Sequence, residues 1–437
     1  MEVWALVMFA AFMLLVLLGY PVAFTLGAVS MLFGAVFLGL EFFNLLPLRI
    51  WGIMTNFSLL AVPLFVFMGV LLEKSGIAEE LLETMGSLFG RLRGGLAISI
   101  IVVGALLAAT TGVVGATVVT MAVIALPALL KNGYRPELAS GAIASAGTLG
   151  QIVPPSIVLI LLGDVMGVAV GQLFVSAVVP SLILVMSYIT YIAVLGYWRS
   201  GQLPVSPINH AHTKMAAAMK SMLPPLMLVI AVLGSIFFGI ATPTESAALG
   251  AVGAIVLAMI KQRLSLGMLS EAMTHTTRLT SMVFMILIGA TAFGLVFRGM
   301  GGDFLVKELM TSLPGGVNGF IALSMLLIFV LGFFLDFIEI CFIVVPILAP
   351  IAEVLGINML WYAVLIAMNL QTSFLTPPFG FALFYLKAAA TVPLQITQIY
   401  RGVIPFIVLQ LIAIVVLIAF PQLVAWLPDV MERVQAR

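Results

Sequence analysis

Long apolar runs cover almost the whole chain and are interrupted at intervals by short polar segments. A helix that crosses a membrane needs about 20 mainly apolar residues, and the pattern supplies many such runs. Charged and apolar residues interleave at helical spacing over 76–92 and near 301–313, which is typical of helices in the membrane interface. Spans are predicted at 2–18, 21–40, 58–72, 173–197, 223–240, 246–260, 280–297 and 403–420.

Two pairs of apolar runs are joined by polar turns and are predicted to form helical hairpins. The runs 95–109 and 116–130 flank the polar sequence 110–115, and the runs 317–334 and 340–352 flank a polar elbow. A helix of about 15 residues rises only about 22 Å, which is less than the hydrocarbon thickness. The first pair therefore predicts a re-entrant hairpin, and the second pair occupies the equivalent place later in the chain.

Two Pro-Pro pairs, at 154–155 and 377–378, interrupt the apolar segments 137–170 and 360–386. Proline cannot donate a backbone hydrogen bond and clashes with the preceding turn, so a helix breaks there. Backbone groups freed inside a membrane are tolerated only where they are buried in protein or line a cavity. The two breaks therefore predict a transport site.

The two halves of the chain have the same order of elements. An offset of about 223 residues superimposes the Pro-Pro pairs, and each half reads span, interfacial helix, hairpin, broken helix, span. Basic residues favour the cytoplasmic side, and an N-terminus outside places 13 of the 18 Lys and Arg residues there. The hairpin bases then lie on opposite sides, so the repeats are inverted, as in many secondary transporters.

Composition supports the same class and excludes others. Of 437 residues, 63% are hydrophobic and 8% charged, against roughly 25% charged in soluble domains. A net charge of +1 argues against a nucleic-acid surface. No nucleotide-binding or hydrolase motif occurs, so an enzyme is not expected and transport must use an ion gradient or an external ATPase. His210 and His212 lack a third ligand, so no transition-metal site is expected.

The candidate ligands for ions and substrate lie at the two helix breaks and the hairpin turns that face them. Carbonyls and hydroxyls suit a hard cation such as Na⁺, and helix N-termini suit an anion. The first cation site is predicted at Thr110, Thr111, Gly112, Gly115, Thr148, Gly150 and Gln151. The second is predicted at Asp336, Asn369, Gln371, Thr372, Ser373 and Thr376. A substrate carboxylate or sulfonate is expected between them, near Thr111, Ser145, Thr148, Pro154, Pro155, Thr372, Pro377 and Pro378.

Several of these residues have a purely structural alternative. Thr and Ser hydroxyls in spans often bond only within their own helix. Three roles are open for Asp336: it neutralises a cation, it carries a proton, or it caps the helix that follows. Glu339 is a second charged residue at predicted membrane depth, where a charge costs free energy and therefore indicates a functional role. Glu245 is expected to cap its helix, Asp164 to mark an outer helix end, and Arg298 to steer an anion or pair with an interfacial helix.

The segments 108–117, 147–156, 241–245, 334–336 and 369–380 together resemble the large membrane subunit of TRAP (tripartite, ATP-independent periplasmic) transporters. The resemblance covers nearly the whole chain. Many members have a Ser-Gly-Ser-Ser tip in the first hairpin. The Thr-Gly-Val-Val tip here resembles the branch labelled mannitol/chloroaromatic-type, and it leaves backbone carbonyls as the ligands expected there.

The resemblance implies an all-α, elevator-type protein of the bacterial inner membrane in which a transport domain slides against a scaffold. It also implies Na⁺-coupled import of an organic anion, a small four-helix membrane subunit and a periplasmic binding protein. The implied division is 1–94 scaffold and arm, 95–198 and 316–420 transport domain, 199–315 loop, scaffold and second arm, and 421–437 tail. The alternatives are a stand-alone Na⁺ or H⁺ symporter of this architecture, and a channel or membrane enzyme.

Overall fold

The computed structural model describes residues 1–89, 92–198 and 215–435, and every regular element in these ranges is helical. The first half contains α1 (Glu2–Leu17), α2 (Val22–Phe37), α3 (Leu46–Met54), α4 (Ala61–Lys74), α5 (Ile77–Phe89), α6 (Gly95–Thr111), α7 (Val114–Lys131), α8 (Pro136–Thr148), α9 (Ile157–Val165) and α10 (Val170–Trp198). The second contains α11 (Met215–Phe237), α12 (Pro243–Ile260), α13 (Leu266–Gly299), α14 (Gly302–Thr311), α15 (Val317–Leu331), α16 (Phe337–Glu339), α17 (Val345–Val354), α18 (Met359–Leu375), α19 (Phe381–Ala389), α20 (Ile396–Ala419) and α21 (Gln422–Gln435).

Short non-α segments connect some of these helices. Turns of 3₁₀ helix occur at Leu40–Leu45, Ser58–Leu60 and Leu149–Gln151, and a π-helical segment, Ile340–Val344, joins α16 to α17. Six helical segments in the described ranges are long and apolar enough to cross a membrane, and a bent pair formed by α3 and α4 with their flanking turns would make a seventh. In the predicted hairpins, α6 and α15 are shorter, at 17 and 15 residues, whereas the second arms, Val114–Lys131 and Phe337–Val354, have 18 residues each and are among the six.

Several predicted boundaries differ from the structure. The span predicted at 223–240 begins earlier, since α11 is Met215–Phe237. The polar stretch before the predicted span 280–297 belongs to the same helix, because α13 begins after Ser265, whose hydroxyl accepts from the Met268 N–H at 3.1 Å. The last span begins at Ile396 rather than 403. The expected tail, 421–437, contains the helix α21, which packs against α10 and α18.

The order of elements in α4–α10 recurs in α13–α20. In each case a helix (14 residues in α4, 34 in α13) is followed by a short amphipathic helix, a helical hairpin, a helix broken at a Pro-Pro pair and a final long helix. Both Pro-Pro peptide bonds are cis. The predicted repeat order is therefore present in the fold.

Two sets of helices can be distinguished, and they pack against each other, with α4 and α5 of the first set on α6 of the second. The frame helices are α1–α5 and α11–α14, in which α2 packs on α13 and α4 on α12 and α13. The central helices are α6–α10 and α15–α20, in which α18 and α20 contact each other and both contact α8 and α10. Every residue of α18 from Trp361 to Leu375 is buried, so the broken helices form the core of the molecule.

Two glycines allow α8 and α20 to cross at backbone distance. A Cβ on Gly141 would lie 2.1 Å from the Gly402 carbonyl oxygen, and a Cβ on Gly402 would lie 2.0 Å from that of Glu137. Small residues at such crossings let membrane helices approach closely.

We expect Gly402→Ala to lower the thermal stability of the purified protein. Its methyl group meets backbone rather than a movable side chain, and overpacking of this kind costs about 1–3 kcal/mol. The unfolding temperature in detergent measures the effect. Gly27→Ala on α2 is the matched control, because in the described part of the chain no atom outside its own helix backbone lies within 4 Å of the added Cβ. Equal unfolding temperatures for Gly402→Ala and the wild type would contradict this crossing.

Candidate functional site

The tip of the first hairpin meets the first broken helix. Gly112 ends α6 with φ +61°, a backbone conformation suited to glycine. A Cβ on Gly112 would lie 3.4 Å from the backbone nitrogen of Ile157, where α9 begins, and one on Gly150 would lie 3.7 Å from the Cα of Ala108. The structure therefore brings together the hairpin tip and the break from which the first cation site is predicted.

The threonine hydroxyls at this tip bond within the hairpin. Thr110 and Thr111 both donate to the Leu107 carbonyl oxygen at 2.9 Å, and the hydroxyls of Thr111 and Thr117 are 2.8 Å apart. This is the local bonding that membrane threonines commonly make. A hydroxyl that donates in this way still has lone pairs with which it can bind a cation. The backbone carbonyls of the tip are the ligands predicted from its sequence.

Two buried side chains near the first break lack partners among the described residues. Neither the Ser145 hydroxyl nor either amide atom of Gln151 makes a hydrogen bond there, although both residues are fully buried. Other polar groups of the break are satisfied, since Ser156 donates to the Gln151 carbonyl and Ser181 to that of Ile152. Buried polar atoms without partners are costly, so their persistence suits a ligand site.

The second hairpin meets the second broken helix in the same way. A Cβ on Gly332, at the end of α15, would lie 2.2 Å from the Ser373 hydroxyl oxygen. The Asn369 side chain donates to the Met325 carbonyl oxygen of the hairpin at 2.6 Å. Two of the residues predicted for the second cation site therefore contact this hairpin directly.

Asp336 caps α16. Its Oδ1 accepts from the Phe337 N–H at 2.7 Å, and Glu339 accepts from the Asp336 N–H at 2.9 Å, which completes a capping box. The capping alternative for Asp336 is thus confirmed, and a cation role is compatible with it because each carboxylate oxygen has further lone pairs.

The other residues predicted for the second cation site bond either within their own chain segment or to the first half of the molecule. Thr372, Ser373 and Thr376 each donate to a carbonyl three or four residues earlier in their own chain segment. Gln371 reaches the other half of the molecule, with its Nε2 3.5 Å from the Thr148 hydroxyl. The contact joins the two broken helices directly.

The Pro-Pro pairs differ in exposure. Pro154 and Pro155 are buried, whereas Pro377 is half-buried and Pro378 exposed. The Tyr400 hydroxyl donates to the Pro378 carbonyl oxygen at 2.9 Å. The second break is therefore the more open of the two.

A cavity of about 470 Å³ lies between the frame helices α4 and α13 and the elements that carry the two tips. Of the predicted site residues, Gly115 and Asp336 line it. The lining residues Ile157, Phe374 and Tyr385 are not predictable from the sequence, because apolar and aromatic residues in an apolar segment give no periodic or chemical signal. The Tyr385 ring packs on Gly115, where an added Cβ would lie 3.3 Å from it.

The far end of this cavity is polar and is formed by Glu73, Lys74 and His275. Glu73 accepts from the Thr120 hydroxyl at 2.5 Å, a contact between a frame helix and the first hairpin. Lys74 pairs with Glu271 of α13 at 2.7 Å. The cavity therefore leads from the candidate site to a charged mouth.

A second cavity, of about 580 Å³, lies at the opposite end and is lined by Arg49, Asn56, Asp164 and Arg298 among others. The Asn56 side chain donates to Asp164 Oδ1 at 2.6 Å, which links the frame to α9. None of the predicted cation-site residues lines this second cavity.

The other predictions have clear outcomes. Glu245 and Thr242 form a capping box at the start of α12, and Asp164 lies in the last turn of α9, so both structural predictions are confirmed. Arg298 lies in the last turn of α13 and donates to the Gly294 carbonyl oxygen at 3.2 Å. His210 and His212 lie outside the described residues.

Comparison with known proteins decides the family. The model of the tripartite ATP-independent periplasmic transporter, DctM component, matches residues 9–423. The chain belongs to this family. As a TRAP large permease it is an integral, multi-pass protein of the inner membrane and one component of a tripartite system.

Its relatives are transporter permeases. The chain is 29% identical to the C4-dicarboxylate TRAP transporter large permease of Pseudomonas aeruginosa, over 88% of this chain and 89% of the relative. It is also 29% identical to the sialic acid TRAP large permease of Vibrio cholerae, over 94% and 95%. The crystal structure of the Alcanivorax borkumensis YdaH transporter shares the fold, with a TM-score of 0.62, 14% identity, and coverage of 96% of this chain and 98% of that one.

Proposed function

We propose that this TRAP large permease imports a small organic anion, a carboxylate or sulfonate, together with Na⁺. The observation that carries the proposal is the cavity of about 470 Å³ that holds Gly115 and Asp336 between the frame and both hairpin-and-break pairs. Its volume lies within the range of small-molecule sites, which is about 300–1,000 Å³. Relatives named for C4-dicarboxylate and sialic acid support an organic acid as substrate.

The coupling ion is assigned from the chemistry of the donors. Each hairpin tip and its break present hydroxyls and backbone carbonyls, and the second pair adds the Asp336 carboxylate. Oxygen donors of this kind suit a hard cation, while the start of α9 beside Gly112 offers backbone N–H groups to an anion. Two Na⁺ sites of unequal composition around one anion site follow from this arrangement.

The movement is proposed to be an elevator. The central helices would slide as a body against the frame helices, with the inverted repeats supplying the two alternative end states. With the N-terminus outside, Lys74 lies on the cytoplasmic side, so the cavity opens to the cytoplasm. The mannitol/chloroaromatic branch remains a prediction, and the substrate itself would be selected by a separate periplasmic binding protein.

Reconstitution of purified components tests the proposal. Proteoliposomes that contain this chain, its small membrane subunit and the binding protein should accumulate a labelled organic acid only under an inward Na⁺ gradient. We expect replacement of Na⁺ by K⁺ to reduce uptake to the level of empty liposomes.

Omission of single components separates the alternatives. Without the binding protein or the small subunit, uptake should be lost. Full uptake by the large chain alone would favour a stand-alone symporter, and flux that ignores Na⁺ and does not saturate would indicate a channel.

A further inference from the structure

The turn between α12 and α13 contacts the elbow between α4 and α5 at two points. Lys261 Nζ lies 2.6 Å from both carboxylate oxygens of Glu80, in the first turn of α5. Arg263 lies against Gly76, at the elbow itself, so closely that an added Cβ would collide with the Arg263 guanidinium. These four residues form an arm clasp that joins the base of α5 to the other frame helices.

The backbone of the turn is held in a conformation that side chains rarely adopt. The N–H groups of Gln262 and Arg263 donate to the carbonyl oxygens of Met259 and Ala258, which is the Schellman pattern of a helix end. Glycine usually takes the position of Gln262, whose φ of +55° is the one positive value at a non-glycine residue in the described ranges. Such a conformation costs free energy and persists where surrounding contacts determine it. The clasp contacts of Lys261 and Arg263, on either side of Gln262, supply those contacts.

The other end of α5 is joined to the first hairpin. The buried Ser99 hydroxyl of α6 donates to the Met85 carbonyl oxygen of α5 at 2.9 Å. An added Cβ on Gly95, where α6 begins, would collide with the Phe89 carbonyl oxygen, so the two helices meet at backbone distance. The helix α5 also packs on the frame helix α11. The place of α5 on the frame therefore sets the place of the base of the first hairpin.

The base of this hairpin is suited to be the pivot of its movement. Gly112, at the tip, follows the 17 residues of α6, so the helix makes a lever of about 25 Å. A tilt about the contact of Gly95 with Phe89 would displace the tip and leave the base in place. The pivot works only if α5 is held still, because an arm that is free at its own base would swing with the hairpin, and part of the displacement of the tip would be lost.

We propose that Lys261 and Glu80 are positioning residues that hold α5 on the frame as the fixed support about which the first hairpin tilts during transport. The inference rests on the proposed Na⁺-coupled elevator movement. Neither residue is among the described residues that line the two cavities. The ion pair therefore acts on the rate of the movement, through α5, and not on the ions or the substrate.

Initial uptake rates in proteoliposomes that contain the complete transporter test the clasp. Glu80→Gln and Lys261→Gln should each lower the maximal rate per folded transporter by about fivefold, or about 1 kcal/mol in activation free energy, the upper value for a partly exposed ion pair. The Na⁺ concentration for half-maximal uptake should stay unchanged, because the cation sites are not altered. Glu79→Gln is the matched control, since it removes the neighbouring exposed carboxylate of the same helical turn and should transport normally.

A covalent bridge provides a second measurement. The double variant with Lys261→Cys and Glu80→Cys lacks the ion pair and should be as slow as the glutamine variants. Propanediyl bismethanethiosulfonate, which joins two thiols, should restore the wild-type rate, and dithiothreitol should remove the gain. Each single cysteine variant treated with the same reagent is the control and should stay slow. The native Cys341 is buried and remains in place.

The outcomes bear on the two proposals separately. Absence of Na⁺-driven uptake in the wild type would overturn the proposed function and the clasp with it. Normal rates in Glu80→Gln and Lys261→Gln would overturn the clasp alone, and so would a loss of transport on bridging, since α5 would then have to move. A lower unfolding temperature with an unchanged rate per folded transporter would show a stabilising role only and would overturn the clasp as well.

Discussion

Asp336→Asn is expected to abolish Na⁺-driven uptake while the protein still folds and assembles. Asp336 is the one predicted cation ligand that carries a formal charge, and it lines the cavity. Removing one partner of a buried charge interaction costs about 3–5 kcal/mol, and the lower end applies because Asp336 is only half-buried. A loss of about 3 kcal/mol is more than a hundredfold in Na⁺ affinity. Uptake against Na⁺ concentration in proteoliposomes measures it.

Asp336→Asn removes the charge of residue 336 and keeps its ability to cap α16, so it tests the two roles separately. Asparagine caps helices about as well as aspartate, so α16 should keep its start and the unfolding temperature should change little. Glu245→Gln is the matched control, since it removes a carboxylate from a similar capping box on the frame helix α12. Unchanged Na⁺ dependence in Asp336→Asn would remove Asp336 from the ion site.

Gly69→Ala should reduce uptake by roughly tenfold to a hundredfold. Gly69 lies on the frame helix α4 against the first hairpin tip, where an added Cβ would lie 2.5 Å from the Thr111 Cα and 2.8 Å from the Thr110 carbonyl oxygen. Backbone atoms cannot rotate away, so the tip must move by roughly 1 Å. Misplacement of a functional group by about 1 Å commonly costs about a hundredfold in activity. Initial uptake rates at saturating Na⁺ measure the effect.

Gly234→Ala is the control for this prediction. Gly234 lies on α11, and among the residues that the structure describes no atom beyond its own helix backbone is within 4 Å of the added Cβ. Alanine in a helix interior is favoured over glycine by about 1 kcal/mol, so this variant should transport normally and be slightly more stable. Wild-type uptake in Gly69→Ala would mean that the close approach of α4 to the tip plays no part in transport.

Much of the fold was predictable because a membrane imposes length and polarity on each element. The tight turn at Gly112 and the two Pro-Pro breaks are local signals, and the structure places helix ends where they predict. The start of α13 was not predictable in this way. Its first turns are polar, so hydropathy marks only the apolar part of a helix that begins at Leu266.

The candidate site was predictable in its backbone and less so in its side chains. Gly112, Asn369 and Ser373 meet their predicted partner elements, since the repeat fixes which tip faces which break. The direction of Gln371 was not predictable, because three-dimensional packing decides which face of a buried helix a side chain occupies. Tyr385 was missed for a related reason, as it reaches the first hairpin from a helix distant in sequence.

The frame side of the cavity has a mechanical consequence. Val62, Val66 and Val70 recur every fourth residue on α4, and Leu279 and Met282 face them from α13. Such a surface offers no directional bonds, so the proposed sliding movement would exchange one set of weak dispersion attractions for a similar set. Two hydrogen bonds, of Thr120 to Glu73 and of Asn56 to Asp164, do connect the two sets of helices, and hydrogen bonds to charged groups contribute about 1.5–3 kcal/mol each. In the proposed elevator movement these two hydrogen bonds would break and form again in every transport cycle.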